Sequence, residues 1–272
     1  MGADAPAGDS EGPTLSITPK WPVVVSYGGG DNSRAMLIEM VRLDVRPDLI
    51  LFADTGGEKP STYAANAEFD AWLKMKGFPG IVTVSDGRQT LEAEVLAANT
   101  LPSIAFGFRS CSDKYKVRPQ HRYLKTWAPA VESWKAGGKV VKLIGYDAGE
   151  IHRLKNFDDA RFVVEYPLAR WGWKRAECSA AVKAAGFMPT KSACFYCPSS
   201  KKHEVLALAK TEPELFARAL AMEQNASAVT TAKGLGRSWS WGALVKAEAE
   251  QARLFDDLPD ETPCGCYDGG TT

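Results

Sequence analysis

The chain reads as an α/β protein with a Rossmann-like, mostly parallel sheet flanked by helices and followed by a helical C-terminal extension. Two observations predict this class. Short, almost wholly apolar runs recur at Pro22–Tyr27, Asp48–Ala53 and Gly80–Val84, as expected for strands buried on both faces. Between them lie stretches with apolar residues at helical spacing. Strand, helix, strand, helix, strand is the pattern of a doubly wound parallel sheet.

In chain order, residues 1–20 are rich in Gly, Ala, Asp, Ser and Pro and read as a disordered leader. The first strand, Pro22–Tyr27, runs into glycines. Ser33–Leu43 follows as a helix whose apolar face is Ala35, Met36, Ile38, Met40 and Val41. The second strand ends at Asp54-Thr-Gly-Gly57. Ser61–Met75 is a helix, Gly80–Val84 a third strand, Leu91–Ala98 a helix and Asn99–Gly107 a loop. Lys139–Gly145 and Arg161–Glu165 are further strands, and Trp173–Ala185 is a helix. Two helices over Lys201–Met222 are broken near Thr211-Glu-Pro213, and another helix precedes an Asp/Pro/Gly-rich end. Residues 21–200 therefore form the main domain, and residues 201–272 the extension and tail.

Composition narrows the function classes. The 272 residues balance 33 Lys and Arg against 33 Asp and Glu, so no overall basic field points to nucleic acid. No apolar run reaches the roughly 18 residues of a membrane span, and the N-terminus lacks the pattern of a secretory signal. Six cysteines are too few for a disulfide scaffold at this length, and Cys194-Phe-Tyr-Cys197 suggests metal or redox chemistry in a reducing compartment. The expected location is the cytoplasm, with no membrane partner.

The segment Ser26-Tyr27-Gly28-Gly29-Gly30-Asp31-Asn32-Ser33 stands where a strand hands over to a helix. Glycines allow backbone N–H groups to approach an anion, and the helix presents its positive end there. Ser26, Asn32 and Ser33 add polar side chains. A phosphate cradle at the end of a parallel strand is the functional reading; a turn that only connects two elements is the bland one. The loop is neither a Walker motif nor GxGxxG.

These residues resemble the PP-loop of the adenine-nucleotide α-hydrolase superfamily. Asp54-Thr-Gly-Gly57 sits where that superfamily's second strand meets the adenosine. Arg109–Pro119, Gly145–Arg153, Pro167-Leu-Ala-Arg-Trp171 and Cys194-Phe-Tyr-Cys197-Pro198 are similar, in order, to blocks of the sulfonucleotide reductases. The combination looks most like phage- and plasmid-borne members of the phosphoadenosine phosphosulfate (PAPS) reductase-like family. Three departures matter: Gly28 stands at the usual first loop serine, Asn32 replaces the usual aspartate, and Gly145-Tyr-Asp147 lacks the arginine of the reductase block.

The resemblance implies that Ser26, Tyr27, Gly28, Gly29, Gly30, Asn32 and Ser33 hold phosphates, with Asp54 near the adenosine and Gly145 and Asp147 lining the site. Lys116 and Arg153 would neutralise charge developing on the anion. Cys194 and Cys197 supply two soft ligands, and a [4Fe–4S] cluster or a zinc ion needs two more. Cys111 lies in a reductase-like block and is the third candidate. Cys178 is the fourth, with Cys264 and Cys266 as rivals; its alternative is a small core residue beside Ala181 and Val182. The resemblance favours iron–sulfur, whereas spacing alone suits zinc equally. Cys264-Gly265 resembles the reductases' C-terminal nucleophile, and its alternative is a tail cysteine or metal contact.

Arg109, Lys114, Lys116, Arg118, Arg122 and Lys125 form a basic segment. Lys116 and Arg118 read as anion ligands, and Arg122 and Lys125 as a solvated face. Tyr115, Tyr123 and Trp127 interleave them, so stacking on nucleic acid stands beside ordinary packing.

The functional expectation is an enzyme acting on an adenine nucleotide, either ATP or a phosphosulfate, in sulfur transfer or reduction. A thiol reductant or sulfur donor would be its partner. The alternatives are ATP cleavage between the α and β phosphates to adenylate a nucleic acid, and a non-catalytic nucleotide-binding accessory.

Overall fold

In the computed structural model, residues 20–102, 104–105, 108–154 and 159–256 are described. The chain forms two compact units: Met1–Glu94 with Ser103–Cys194, and Val95–Pro102 with Phe195–Thr272.

The first unit is built on five parallel strands: β1 (Val23–Tyr27), β2 (Leu49–Ala53), β3 (Ile81–Val84), β6 (Val140–Ile144) and β7 (Phe162–Glu165). Their order is β3-β2-β1-β6-β7. Val25 on the central strand pairs with Ile50 on one side and Leu143 on the other. The inner strands β2, β1 and β6 read as largely apolar runs because helices cover both faces. On one face Val23, Val25, Tyr27, Ile50, Phe52 and Leu143 pack with residues of α1 (Asp31–Arg42), α2 (Pro60–Met75) and α8 (Arg175–Ala184). On the other, Val24, Leu49, Leu51 and Val140 meet Leu124 of α5 (Arg118–Leu124) and Ala130 of α6 (Ala128–Lys135). Truncating a fully buried residue such as Leu143 to Ala would cost about 2–5 kcal/mol.

The chain leaves β1 toward β2 and β3, then returns to place β6 on the other side of β1. The strand order therefore reverses between β1 and β6, where an open α/β sheet has its crevice. Helix α1 begins at Asp31, two residues before the expected start, so Asn32 and Ser33 belong to its first turn.

The segment expected as a loop at 99–107 carries one short strand, β4 (Ile104–Ala105), which pairs antiparallel with β5 (Phe108–Arg109) just beyond it. Such two-residue strands are too short for a periodic signal. The basic segment continues as α4 (Ser110–Ser112), a π-helical turn (Asp113–Val117) and α5. A 3₁₀ turn (Ile151–Arg153) and α7 (Pro167–Arg170) complete the first unit. Helix α3 (Leu91–Ala97) crosses from one unit into the other.

In the second unit, α9 (Lys202–Thr211) and α10 (Pro213–Ala226) break at Glu212, the residue before proline, as the sequence predicts. The Glu223 carboxylate accepts the backbone N–H groups of Leu235, Trp241 and Gly242 and the Ser240 hydroxyl. It thereby caps α11 (Trp241–Asp256). No helix among the described residues is long and apolar enough to cross a membrane.

Candidate functional site

The loop after β1 is shaped by close contacts. Gly29 has φ +77°, and a Cβ there would lie 3.2 Å from Asn66 Oδ1 and 3.3 Å from the Phe52 ring. The Ser33 hydroxyl accepts Gly28 N–H at 3.2 Å and donates to Gly30 C=O at 3.0 Å, closing the loop. The Tyr27 side chain turns into the core instead. Its phenol donates to Asn66 Oδ1 at 3.0 Å and accepts Arg34 Nε–H at 3.2 Å. Gly145, leaving β6, passes so close that a Cβ would stand 3.1 Å from both Ser33 N and Ser33 Cα.

Helix α1 has no side-chain N-cap bond. In its first turn Asp31 N–H donates to Thr190 C=O and Arg34 N–H to Gly30 C=O, each at 3.2 Å, so the Asn32 and Ser33 amides are the ones that carry the positive end of the helix to the β1/β6 crevice. The crevice is a pocket of about 310 Å³ lined by Ser26, Gly28, Gly30, Asp31, Asn32, Ser33, Ile144, Gly145, Tyr146, Glu150, Arg153, Arg175, Lys191 and Ser192. Three cationic side chains in that lining face two acidic ones.

These groups form a connected network. Asn32 Nδ2 donates to Asp147 Oδ2 at 2.8 Å and to Glu150 Oε2 at 3.2 Å, while its carbonyl accepts Arg175 Nη1–H at 3.2 Å. Arg175 also pairs with Asp31 at 3.0 Å. The buried Asp31 carboxylate accepts Thr190 N–H at 2.6 Å. Arg153 pairs with Glu150, and its guanidinium lies 4.1 Å from the centre of the Tyr146 ring, which stacks on Tyr166. Of the expected site residues, Ser26, Gly28, Gly30, Asn32, Ser33, Gly145 and Arg153 line this one pocket, and Asp147 joins it through Asn32.

Asp54 opens on a second cavity of about 320 Å³ at the ends of β2 and β3, with Thr55, Gly56, Ser85, Gly87, Arg88, Gln89 and Thr90. Its Oδ1 accepts Gly56 N–H and the Tyr63 hydroxyl, each at 2.8 Å. Burial and this bond hold the Tyr63 phenol protonated well above its ordinary range.

Lys116 is not among the residues lining the first pocket. It pairs at 3.4 Å with Glu58, whose side chain is fully buried and also accepts the Ser192 hydroxyl at 3.0 Å. Lys116 thus reaches the pocket wall through Glu58 and Ser192. Three more residues of the basic segment are likewise met by acids. Lys114 pairs with Glu94, Arg118 with Asp113 and Arg122 with Asp86. Bonds from Arg88 and Arg122 hold the Asp86 carboxyl below the usual range. The charge seen in the sequence is largely cancelled in space. The Arg109 side chain lies outside the described residues.

The described cysteines stand in different settings. Cys178 stands in the core among α1, α8 and the sheet, and burial pushes its thiol up to about 12. That is the small-core-residue alternative, and a poor setting for a thiolate ligand. Cys194 Sγ lies 3.0 Å from Thr55 Oγ1, and its backbone bridges to Glu58. Cys111 is half-buried, and Cys197, also half-buried, belongs to the second unit. Among the described residues no group of three or more His, Cys, Asp or Glu side chains is arranged to hold a metal ion. Cys264 and Cys266 lie outside the described residues.

Sequence reasoning missed Arg175, Lys191 and Ser192. Arg175 begins a helix 143 positions from Asn32, and no motif marks it. Only the packing of α8 on α1 brings it to the site.

No protein-family model and no curated protein matches the chain. Among solved structures, it is similar to the U34-tRNA thiolase NcsA from Methanococcus maripaludis with its [4Fe-4S] cluster, at 14% identity and a TM-score of 0.43, over 93% of this chain and 79% of that one.

Proposed function

We propose that the chain is a PP-loop-type enzyme that binds an adenine nucleotide and uses ATP in a sulfur-transfer reaction. One observation carries the reading: a glycine loop, a helix N-terminus without a side-chain cap and the side chains of Arg153, Arg175 and Lys191 share one pocket at the switch point of the sheet. That combination suits a polyphosphate by shape and charge. The second cavity at Asp54, beyond the loop, has room for the adenosine.

In this reading a nucleophilic oxygen of the acceptor attacks the α-phosphorus. The bond to the bridging oxygen breaks, diphosphate leaves with the electron pair, and the acceptor is adenylated. Amides at the α1 N-terminus and Arg153 stabilise the departing charge. Gly28, Gly30 and Ser33 set the loop, and Gly29 supplies its left-handed turn. Asn32 fixes the carboxylates of Asp147 and Glu150 beside Arg153. A sulfur donor then displaces AMP from the acceptor. A [4Fe–4S] cluster or zinc ion, if held by Cys111, Cys194 and Cys197 with a further thiol, would supply the sulfur chemistry of that last step.

Incubation of the full chain with magnesium and ATP, with products resolved by chromatography, tests the proposal. AMP and diphosphate, formed with an acceptor and a sulfur donor, are expected. ADP and phosphate would contradict it. Sulfite from a phosphosulfate, lost in Cys264→Ser, would move the assignment to reduction. Tight binding without turnover would favour the accessory role.

A further inference from the structure

We propose that Arg175 is the specificity-determining residue that grips the diphosphate end of the nucleotide, an assignment that rests on the nucleotide reading above. Its guanidinium touches the first two residues of α1, at 3.0 Å from Asp31 Oδ2 and 3.2 Å from Asn32 Oδ1. A bare carboxylate at the start of α1 would repel a phosphate from the helix end, and Arg175 cancels that charge. Asp31 is itself locked, being 1% exposed and bonded to Thr190 N–H at 2.6 Å.

The guanidinium is thus oriented before any ligand arrives. About half of the Arg175 side chain remains exposed, and it lines the pocket with Gly28, Gly30 and Ser33. An arginine has five N–H donors in a rigid fork, and the contacts to Asp31 and Asn32 leave donors for a planar or tetrahedral oxyanion. Strand order fixes which end of the ligand meets it. The Asp54 cavity lies at β2 and β3, the glycine loop follows β1, and the Arg175 pocket continues to the end of β6. A nucleotide with its adenosine at Asp54 directs its terminal phosphates to Arg175.

Calorimetric titration of the full chain with pyrophosphate and, separately, with AMP tests this. Wild type, Arg175→Ala and Arg175→Lys are compared, with folding checked by circular dichroism. Arg175→Ala is expected to lose about 10- to 100-fold in pyrophosphate affinity, as for a charged hydrogen-bond donor, with a much smaller loss for AMP. Arg175→Lys keeps the charge but not the fork and falls between. If both ligands weaken alike, or pyrophosphate binding is unchanged in both variants, Arg175 only ties α8 to α1 and the proposal is overturned. Wild type that binds neither ligand contradicts the nucleotide reading itself, and with it this assignment.

Discussion

The Asn32 amide donates to the Asp147 carboxylate at 2.8 Å, across 115 positions of sequence, and so joins the first turn of α1 to the loop after β6. The same nitrogen reaches Glu150 at 3.2 Å. An amide suits this position because both neighbours are carboxylates and a donor between them offsets their repulsion.

Asn32→Asp should therefore be harmful even though aspartate is the residue usual in the PP-loop. It would place a third carboxylate beside Asp147 and Glu150, with an expected loss of about 1–3 kcal/mol of stability. Urea denaturation measures it. The double variant Asn32→Asp with Asp147→Asn restores a donor–acceptor pair and should recover part of the loss; no recovery would show that the pair is not coupled.

Gly145→Ala tests the close approach of β6 to α1. The added Cβ would meet Ser33 N and Cα at 3.1 Å, both backbone atoms that cannot rotate away. A cost of about 1–3 kcal/mol is expected, together with weaker nucleotide binding. Gly28→Ala, whose Cβ would stand 3.9 Å from Ser33 Oγ, should be tolerated much better in stability. Thermal melts of the two variants decide the matter.

His121 and Lys142 make a pH-sensitive pair under the sheet. Lys142 Nζ lies 3.3 Å from His121 Nε2, and His121 stacks on Phe162. Burial, and then the Lys142 charge, pushes the imidazole down to about 4; burial pushes the Lys142 amine down to about 8. The unfolded chain therefore takes up a proton on His121 near its ordinary value of 6.5, while the folded chain resists until about 4. Stability is highest above 6.5 on this account and falls as pH drops through that window. His121→Phe should lose less stability between pH 7 and pH 5, in flanking buffers of equal ionic strength, than the wild type does. Parallel losses would exclude His121 as the cause.

Glu223→Ala should loosen the second unit locally. It removes the acceptor for three backbone N–H groups and the Ser240 hydroxyl. Hydrogen exchange at Leu235, Trp241 and Gly242 is expected to accelerate by more than tenfold, as loss of at least about 1.4 kcal/mol of local protection implies. Glu223→Gln keeps one acceptor oxygen and should accelerate less.

The sheet was legible in the sequence because β1, β2 and β6 are buried on both faces and so are apolar nearly throughout. The glycine loop was legible because its residues are contiguous. Lys116 reads in the sequence as an anion ligand because a charge run shows its sign but not its partners; Glu58, which it meets, lies 58 positions away. Cys178 illustrates the same limit. A thiol on an apolar helix face looks alike whether it faces a cluster or a core, and only its place among Leu37, Val182 and Leu168 distinguishes them. Arg175 was invisible because tertiary packing, not spacing, brings it to α1.

Titration of magnesium–ATP into the full chain, repeated in saturating pyrophosphate, tests the central claim most directly. One saturable site per chain that pyrophosphate blocks is expected, because the phosphates share the pocket at Gly28–Ser33 and Arg175. No saturable binding at millimolar ATP, or binding indifferent to pyrophosphate, would contradict it.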